Sequence, residues 1–236
     1  MSHPSQISFI QSIASVAPDF FRDKKVLEFG SLDINGSVRQ FFSNCEYIGI
    51  DVEAGKGVDI VCQAQDFDAP DNSFDVVISC ECMEHNPHWK ETFLNMIRVC
   101  KGAGLVIMSC ATVGRREHGT ARSNPDASPL TVGMGWDYYK NISNKVWLKA
   151  FPLEESFSGW STWTNWESSD LYFVGIKKGR DEKEPDDKWR KIRAGVDKYV
   201  RKVNGRARIL VRRLFGALFG DFGFLAIIKF RKLIGA

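Results

Sequence analysis

Short apolar runs alternate with stretches whose apolar residues return every three or four positions. Val26 to Phe29 is a short apolar strand that runs into Gly30, and "EYIGIDV", "GVDIVCQ", "SFDVVISC" and "GLVIMSCAT" read as four further strands. Between and before them lie helical spacings. "SQISFIQSIASVAPDFF" carries Ile7, Ile10, Ile13, Ala14 and Ala17 at such intervals, "GSVRQFFS" starts a helix after the first turn, and "HWKETFLNMIRVCKG" is amphipathic and ended by Gly102. Apolar strands separated by helices predict a parallel sheet covered on both faces. Two later strand-like runs in "SFSGWSTWTNWESSDLYFVGIKKG" predict an antiparallel hairpin at the sheet edge. The fold class is therefore α/β, Rossmann-like and doubly wound.

Such a sheet holds its ligand outside the carboxyl ends of its strands, where the strand order reverses. The residues that follow each strand are thus the candidates: Gly30, Ser31 and Asp33; Asp51; Gln63 and Ala64; Ser79 to His85; and Thr112 to His118. The first turn lacks the later glycines of a dinucleotide fingerprint, since Leu32 stands where the second is expected. Without the third glycine, the helix after the turn does not press on a pyrophosphate. Asp51 ends the second strand at the spacing where a carboxylate accepts from ribose hydroxyls, although a strand-terminal Asp is also a common helix cap. A nucleoside ligand without a diphosphate satisfies both features. Glu28, inside an apolar strand, requires a partner, either a ligand ammonium or a neighbouring Arg or Lys.

"VLEFGSLDINGSVRQFF", "YIGIDVEAGKGVDIV", "CQAQDFDAPDNSFDVVISCECMEHNPHWKETFLNMIRVCKGAGLVIMS" and "DLYFVGIKK" together resemble the successive motifs of class I S-adenosylmethionine-dependent methyltransferases of the type-11 group. The resemblance covers about residues 22 to 178. It implies a seven-stranded sheet with the last strand antiparallel, and S-adenosylmethionine as cofactor. It places Glu28 and Gly30 near the methionine moiety, in a motif where Ser31, Asp33 and Asn35 replace the later glycines. It puts Asp51 on the ribose and Gln63 and Ala64 at the adenine, with Gln63 where the family has Asp, and Ser79 completes the donor set. A Gln oxygen still accepts from an adenine amino group.

Methyl transfer to a hydroxyl needs a base on the acceptor side. His85 and His118 are the candidates, because an imidazole titrates near neutral pH. His85 could equally orient the loop or the donor. A metal held by Glu84, His85 and His88 is a lesser alternative, and no metal is expected, since the clustered Asp residues of a magnesium-assisted enzyme are not evident. Residues 113 to 145 form a long polar insertion that either shapes the site or is a solvated loop. In it, Arg115, Arg116 and Arg122 could meet an anionic acceptor. Trp136, Trp160, Trp163 and Trp166 either stack on a sugar or pack the sheet edge.

Charge divides the chain. Residues 180–236 hold 16 of the 32 Lys and Arg but only 7 of the 29 Asp and Glu. The expected organisation is a methyltransferase domain over 1–178, a charged linker over 179–187 and a basic amphipathic helical tail over 188–236. That tail is phenylalanine-rich as well as basic, which suits an anionic membrane surface; docking on its own domain or on a second copy in a homodimer is the alternative. Nucleic acid is not the expected partner of so apolar an arm. The start of the chain has no basic stretch or long apolar core, so no leader is expected. The six cysteines show no metal-like spacing and are expected reduced, which places the protein in the cytoplasm, peripheral on the inner face of a membrane. The expected reaction is O-methylation of a sugar hydroxyl on a surface or lipid-linked glycan, or of a small-molecule acceptor. A donor-binding scaffold and an RNA or protein methyltransferase recruited by the tail are the alternatives.

Overall fold

The computed structural model describes residues 3–179 and 187–205. Seven strands form one sheet: β1 (Lys25–Phe29), β2 (Glu46–Asp51), β3 (Ile60–Val61), β4 (Phe74–Cys80), β5 (Cys100–Ala111), β6 (Phe157–Asn165) and β7 (Asp170–Lys177). Their order is β3-β2-β1-β4-β5-β7-β6. The first five run parallel, and β7 lies antiparallel between β5 and β6. The hairpin read from sequence is present, with β6 at the edge. The order reverses between β1 and β4, which opens a crevice at their carboxyl ends.

Side-chain alternation explains why both faces are covered. Leu27 and Phe29 of β1, Val77 of β4 and Val106 and Met108 of β5 point to one face. There they meet Phe93 and Met96 of α2 (Trp89–Val99). Val26, Val76, Ile78 and Ile107 point to the other, under α1 (Pro4–Ala14), where Phe9 stacks on Tyr172 of β7 at 4.0 Å. Three short helices follow β5: α3 (Pro129–Gly133), α4 (Asn144–Ala150) and α5 (Leu153–Ser156).

The last helix, α6 (Asp187–Asn204), packs on α1 and β6. Trp189, Ile192, Val196, Val200 and Val203 recur at helical spacing and are all buried. Trp163 Nε1 donates to Asp197 Oδ1 at 2.7 Å, and Asn204 Nδ2 donates to the Thr164 carbonyl at 2.8 Å. So the first third of the expected tail docks on the domain, the alternative that the sequence left open; residues 206–236 lie outside the described residues. No helix among the described residues is long and apolar enough to cross a membrane.

Three local expectations need correction. "GSVRQFFS" yields only a single turn over Val38–Phe41, because Phe42 returns to extended backbone and stacks on Phe21 at 4.8 Å. The third strand shrinks to two exposed edge residues. Helix α2 stops at Val99, and the chain enters β5 directly at Cys100, so Gly102 lies in a strand. The six cysteines are free thiols, with Cys80, Cys100 and Cys110 buried.

Candidate active site

A cleft of about 600 Å³, its open mouth included, lies at the switch point. Gly30, Leu32, Ile50, Asp51, Cys62 and Ala64 form one side, and Glu81, Cys82, His85 and Asn86 another. Residues 127–131 and Trp136, from the long insertion, close over it. The insertion therefore shapes the site. Gly30 is required twice over: its φ is +76°, and a Cβ there would lie 2.6 Å from Cys82 Cβ.

The turn after β1 is closed by its own hydrogen bonds. The Gly30 and Ser31 amides donate to the Ile50 carbonyl at 2.9 and 3.1 Å, and the Asp33 amide donates to the Lys56 carbonyl at 2.8 Å. The Leu32 amide donates to Asp51 Oδ2 at 3.0 Å, and Val52 donates to Asp51 Oδ1 at 2.8 Å. The amides of residues 30 to 33 are thus already occupied, so the turn offers no row of free donors to a pyrophosphate. Asp51 keeps further acceptor capacity, because a carboxylate has about four lone-pair sites and two are used here. Burial raises its pKa, against the pull of the two amides. Ser31 Oγ is buried beside the turn without a hydrogen-bond partner.

The other sequence candidates fall around this centre. Ala64 lines the cleft. Gln63 Oε1 accepts from Gln65 Nε2 at 2.6 Å just outside it. Asp33 accepts from the Gly36 amide at 2.8 Å and pairs with Lys56 at 2.7 Å, so it braces the turn. Ser79 Oγ donates to the Phe29 carbonyl at 3.0 Å and ties β4 to β1. Glu28 stands behind the cleft on the α1 face, where the Tyr47 hydroxyl donates to its Oε2 at 2.8 Å. Its protein partner is a tyrosine, not the Arg or Lys anticipated. Burial pushes its pKa up to about 7.

On the far side, His85 lines the cleft and is buried, and burial pushes its pKa down to about 4. His118 meets it edge to face, with ring centroids 5.0 Å apart, and Tyr139 packs against both. His118 Nδ1 lies 3.0 Å from the Arg116 carbonyl oxygen. That oxygen only accepts, so Nδ1 carries the proton and Nε2 is left as the acceptor. His88 stands apart from this pair, with its ring 5.8 Å from that of Trp136.

The arginines of the insertion are largely committed. Arg115 donates to Glu81 at 3.4 Å and to Asp170 at 3.2 Å, and His3 lies 3.3 Å from Asp170. Arg122 pairs with Glu117 and Asp137 at 2.8 and 2.9 Å. Of the three expected to face an anionic acceptor, Arg116 remains as an exposed side chain. Of the four tryptophans, Trp136 reaches the cleft, while Trp160 and Trp163 pack on the sheet cores. Residues 127–131 were not singled out from sequence, because nothing in "ASPLT" distinguishes a lid from a solvated loop. Glu81 was noted only for its position; its φ of 53° and its burial against Arg115 are tertiary features.

A parallel sheet that reverses at β1, carries an antiparallel seventh strand and ends β2 in a carboxylate lining the cleft has the architecture of a methyltransferase-type α/β domain. Residues 35–108 match the family described as a methyltransferase domain. Over these residues, about a third of the chain, the match is a similarity to the type-11 group of S-adenosylmethionine-dependent methyltransferases. The self-closed turn and the free acceptor capacity of Asp51 fit that group.

Solved structures similar to the chain include a Burkholderia thailandensis 1,6-didemethyltoxoflavin N1-methyltransferase with S-adenosylhomocysteine, at 11% identity, covering 73% of this chain and 79% of that one, TM-score 0.49. Another is a Haemonchus contortus phosphoethanolamine N-methyltransferase with S-adenosyl-L-methionine, at 15% identity, covering 72% and 53%, TM-score 0.49. A third is the Bacillus subtilis YcgJ protein, at 12% identity, covering 72% and 99%, TM-score 0.48. The chain thus spans about half the length of the Haemonchus enzyme. No curated protein matches the chain.

Proposed function

We propose that the protein O-methylates a sugar hydroxyl of a surface or lipid-linked glycan. The observation that carries this reading is the imidazole pair, His85 and His118, at the edge of the donor cleft beneath a lid that bears Trp136. A hydroxyl acceptor needs its proton removed, and two imidazoles beside the cleft are suited to take it. Trp136 offers an aromatic face to a sugar ring.

In this reading Asp51 accepts from the ribose hydroxyls, Ala64 and Gln63 border the adenine, and Gly30, with Ser31 beside it, leaves room for the methionine part. Bound S-adenosylmethionine supplies a methyl group already activated on a sulfonium. The chain's own work is then to seat both partners in line, keep out water and accept a proton. Glu28, Asp33 and Ser79 hold the turn and strand ends that frame the cleft.

Charge supports a reading of where the acceptor lies. Lys188, Lys191, Arg193, Lys198 and Lys202 lie exposed on α6, opposite its buried face. We place the protein on an anionic cytoplasmic membrane face, where each such side chain contributes on the order of 1 kcal/mol. The test is mass spectrometry of methyl transfer from labelled S-adenosylmethionine to extracted cell-surface glycans and lipids, with RNA as control. Label on a sugar oxygen is the expected result. Label on RNA alone, or on no glycan or lipid fraction, overturns the acceptor assignment.

A further inference from the structure

A second feature of the His85–His118 corner has no use in proton transfer. Glu84, fully buried, lies beside the pair, and Glu84, His85 and His118 each bring one ligand atom within 4.8 Å of the others. Glu84 Oε1 accepts from the Ala111 amide at 3.2 Å, which fixes the carboxylate. Its Oε2 is buried with no hydrogen-bond partner, and so is His85 Nδ1. Leaving two such atoms unmatched in one place is costly unless something fills the gap. The Cε1–Nδ1 edge of His85 faces Gly119, next to His118, where a Cβ would approach Cε1 to 2.7 Å. The Gly119 φ of +64° holds that close approach.

We propose that Glu84, His85 and His118 bind a divalent transition-metal ion, zinc above all. One carboxylate oxygen and two imidazole nitrogens are the donor set of an open zinc site, with the fourth position left to water or a substrate oxygen. The contact of His118 Nδ1 with the Arg116 carbonyl is the outer-shell bond that orients a ligating imidazole and frees Nε2. Tetrahedral zinc wants its ligand atoms about 3.3 Å apart, at bonds near 2.0 Å. Closing that distance falls to His118, the half-buried member of the three. The neighbouring group of His3, Glu81 and Asp170 is different, because the Arg115 guanidinium already supplies its cation.

The ion joins the insertion to the turn after β4 at the acceptor side of the cleft. This inference rests on the proposed function only for its consequence: an ion there would lower the pKa of an acceptor hydroxyl, and the imidazoles would hold the ion in place of a proton.

The test is titration of the chelator-stripped full-length protein with Co²⁺, followed by visible absorption and calorimetry. One equivalent is expected to bind with the intense bands of a four- or five-coordinate ion, displaced by Zn²⁺. His118→Ala, at a half-buried position, and Glu84→Gln, nearly isosteric, should each weaken binding at least about tenfold. His88→Ala should leave it unchanged. Circular dichroism confirms folding, and if Glu84→Gln does not fold, His118→Ala decides. A pale octahedral spectrum, the absence of binding, or wild-type affinity in His118→Ala overturns the site. Calorimetry with S-adenosylmethionine in the stripped protein is independent of these results, so a failure of the donor reading is seen separately.

Discussion

Replacing His118 with alanine is expected to lower turnover by about 10²–10⁴ while donor affinity changes little. The same is expected of His85→Ala. His85 alone is a weak base, because burial holds its pKa near 4 and the ring stays neutral at working pH. His118, the less buried of the pair, has its Nδ1 at the Arg116 carbonyl, which leaves Nε2 available to accept. The two rings touch, so each variant removes a wall of the other's environment as well as its own nitrogen. Single-turnover kinetics with donor binding measured in parallel checks the claim. If donor affinity falls as far as turnover, His85 positions the donor. If neither moves, the acceptor is deprotonated elsewhere or needs no base. The loss is expected whether the imidazoles take the proton or hold an ion that promotes its release, and the Co²⁺ spectrum separates these cases.

Glu28→Gln is expected to reshape stability against pH. Glu28 is 4% exposed, and its pKa rises from 4.5 to about 7. Between these values the folded chain holds a proton that the unfolded chain has released. Its stabilising contribution is therefore complete below pH 4.5 and is lost as pH rises through about 7. The loss amounts to about 3 kcal/mol, at 1.36 kcal/mol per unit. Gln keeps an oxygen for the Tyr47 hydroxyl and never ionises. Urea unfolding of both proteins across this range should show the variant gaining on the wild type as pH rises. A stability difference that is the same at both ends of the range contradicts the buried, proton-sharing carboxylate.

Much of the sheet was legible because its strands are buried on both faces and read as near-continuous apolar runs. Val26–Phe29 and Phe74–Cys80 are of this kind. Ile60–Val61 and Val38–Phe41 were read as longer than they are, since local apolar content sets an element's presence better than its ends. The docking of α6 was legible only as an alternative: Trp189, Ile192 and Val196 mark an apolar stripe, but a stripe does not name what it meets. Gly30, Asp51, Ala64 and His85 could be placed at the cleft because each lies at or after a strand end, and fold topology converts that position into a place in the cleft. Glu28 looked like a ligand group because a buried carboxylate needs a partner; that the partner is Tyr47, from the neighbouring strand, depends on strand register. Asp170 and His3 escaped notice as partners of Arg115, because three segments far apart in sequence have to meet before they mean anything.

The account stands on the donor cleft at Asp51, and calorimetry tests it most directly. The full-length protein is titrated with S-adenosylmethionine, with S-adenosylhomocysteine and with NAD. Binding of the first two at one equivalent, with no heat from NAD, is the expected result. Asp51→Ala should then weaken donor affinity by about 1–3 kcal/mol, the scale of a buried acceptor lost from hydroxyl donors. Tight NAD binding with no heat from S-adenosylmethionine, or a donor affinity unchanged in Asp51→Ala, would contradict it.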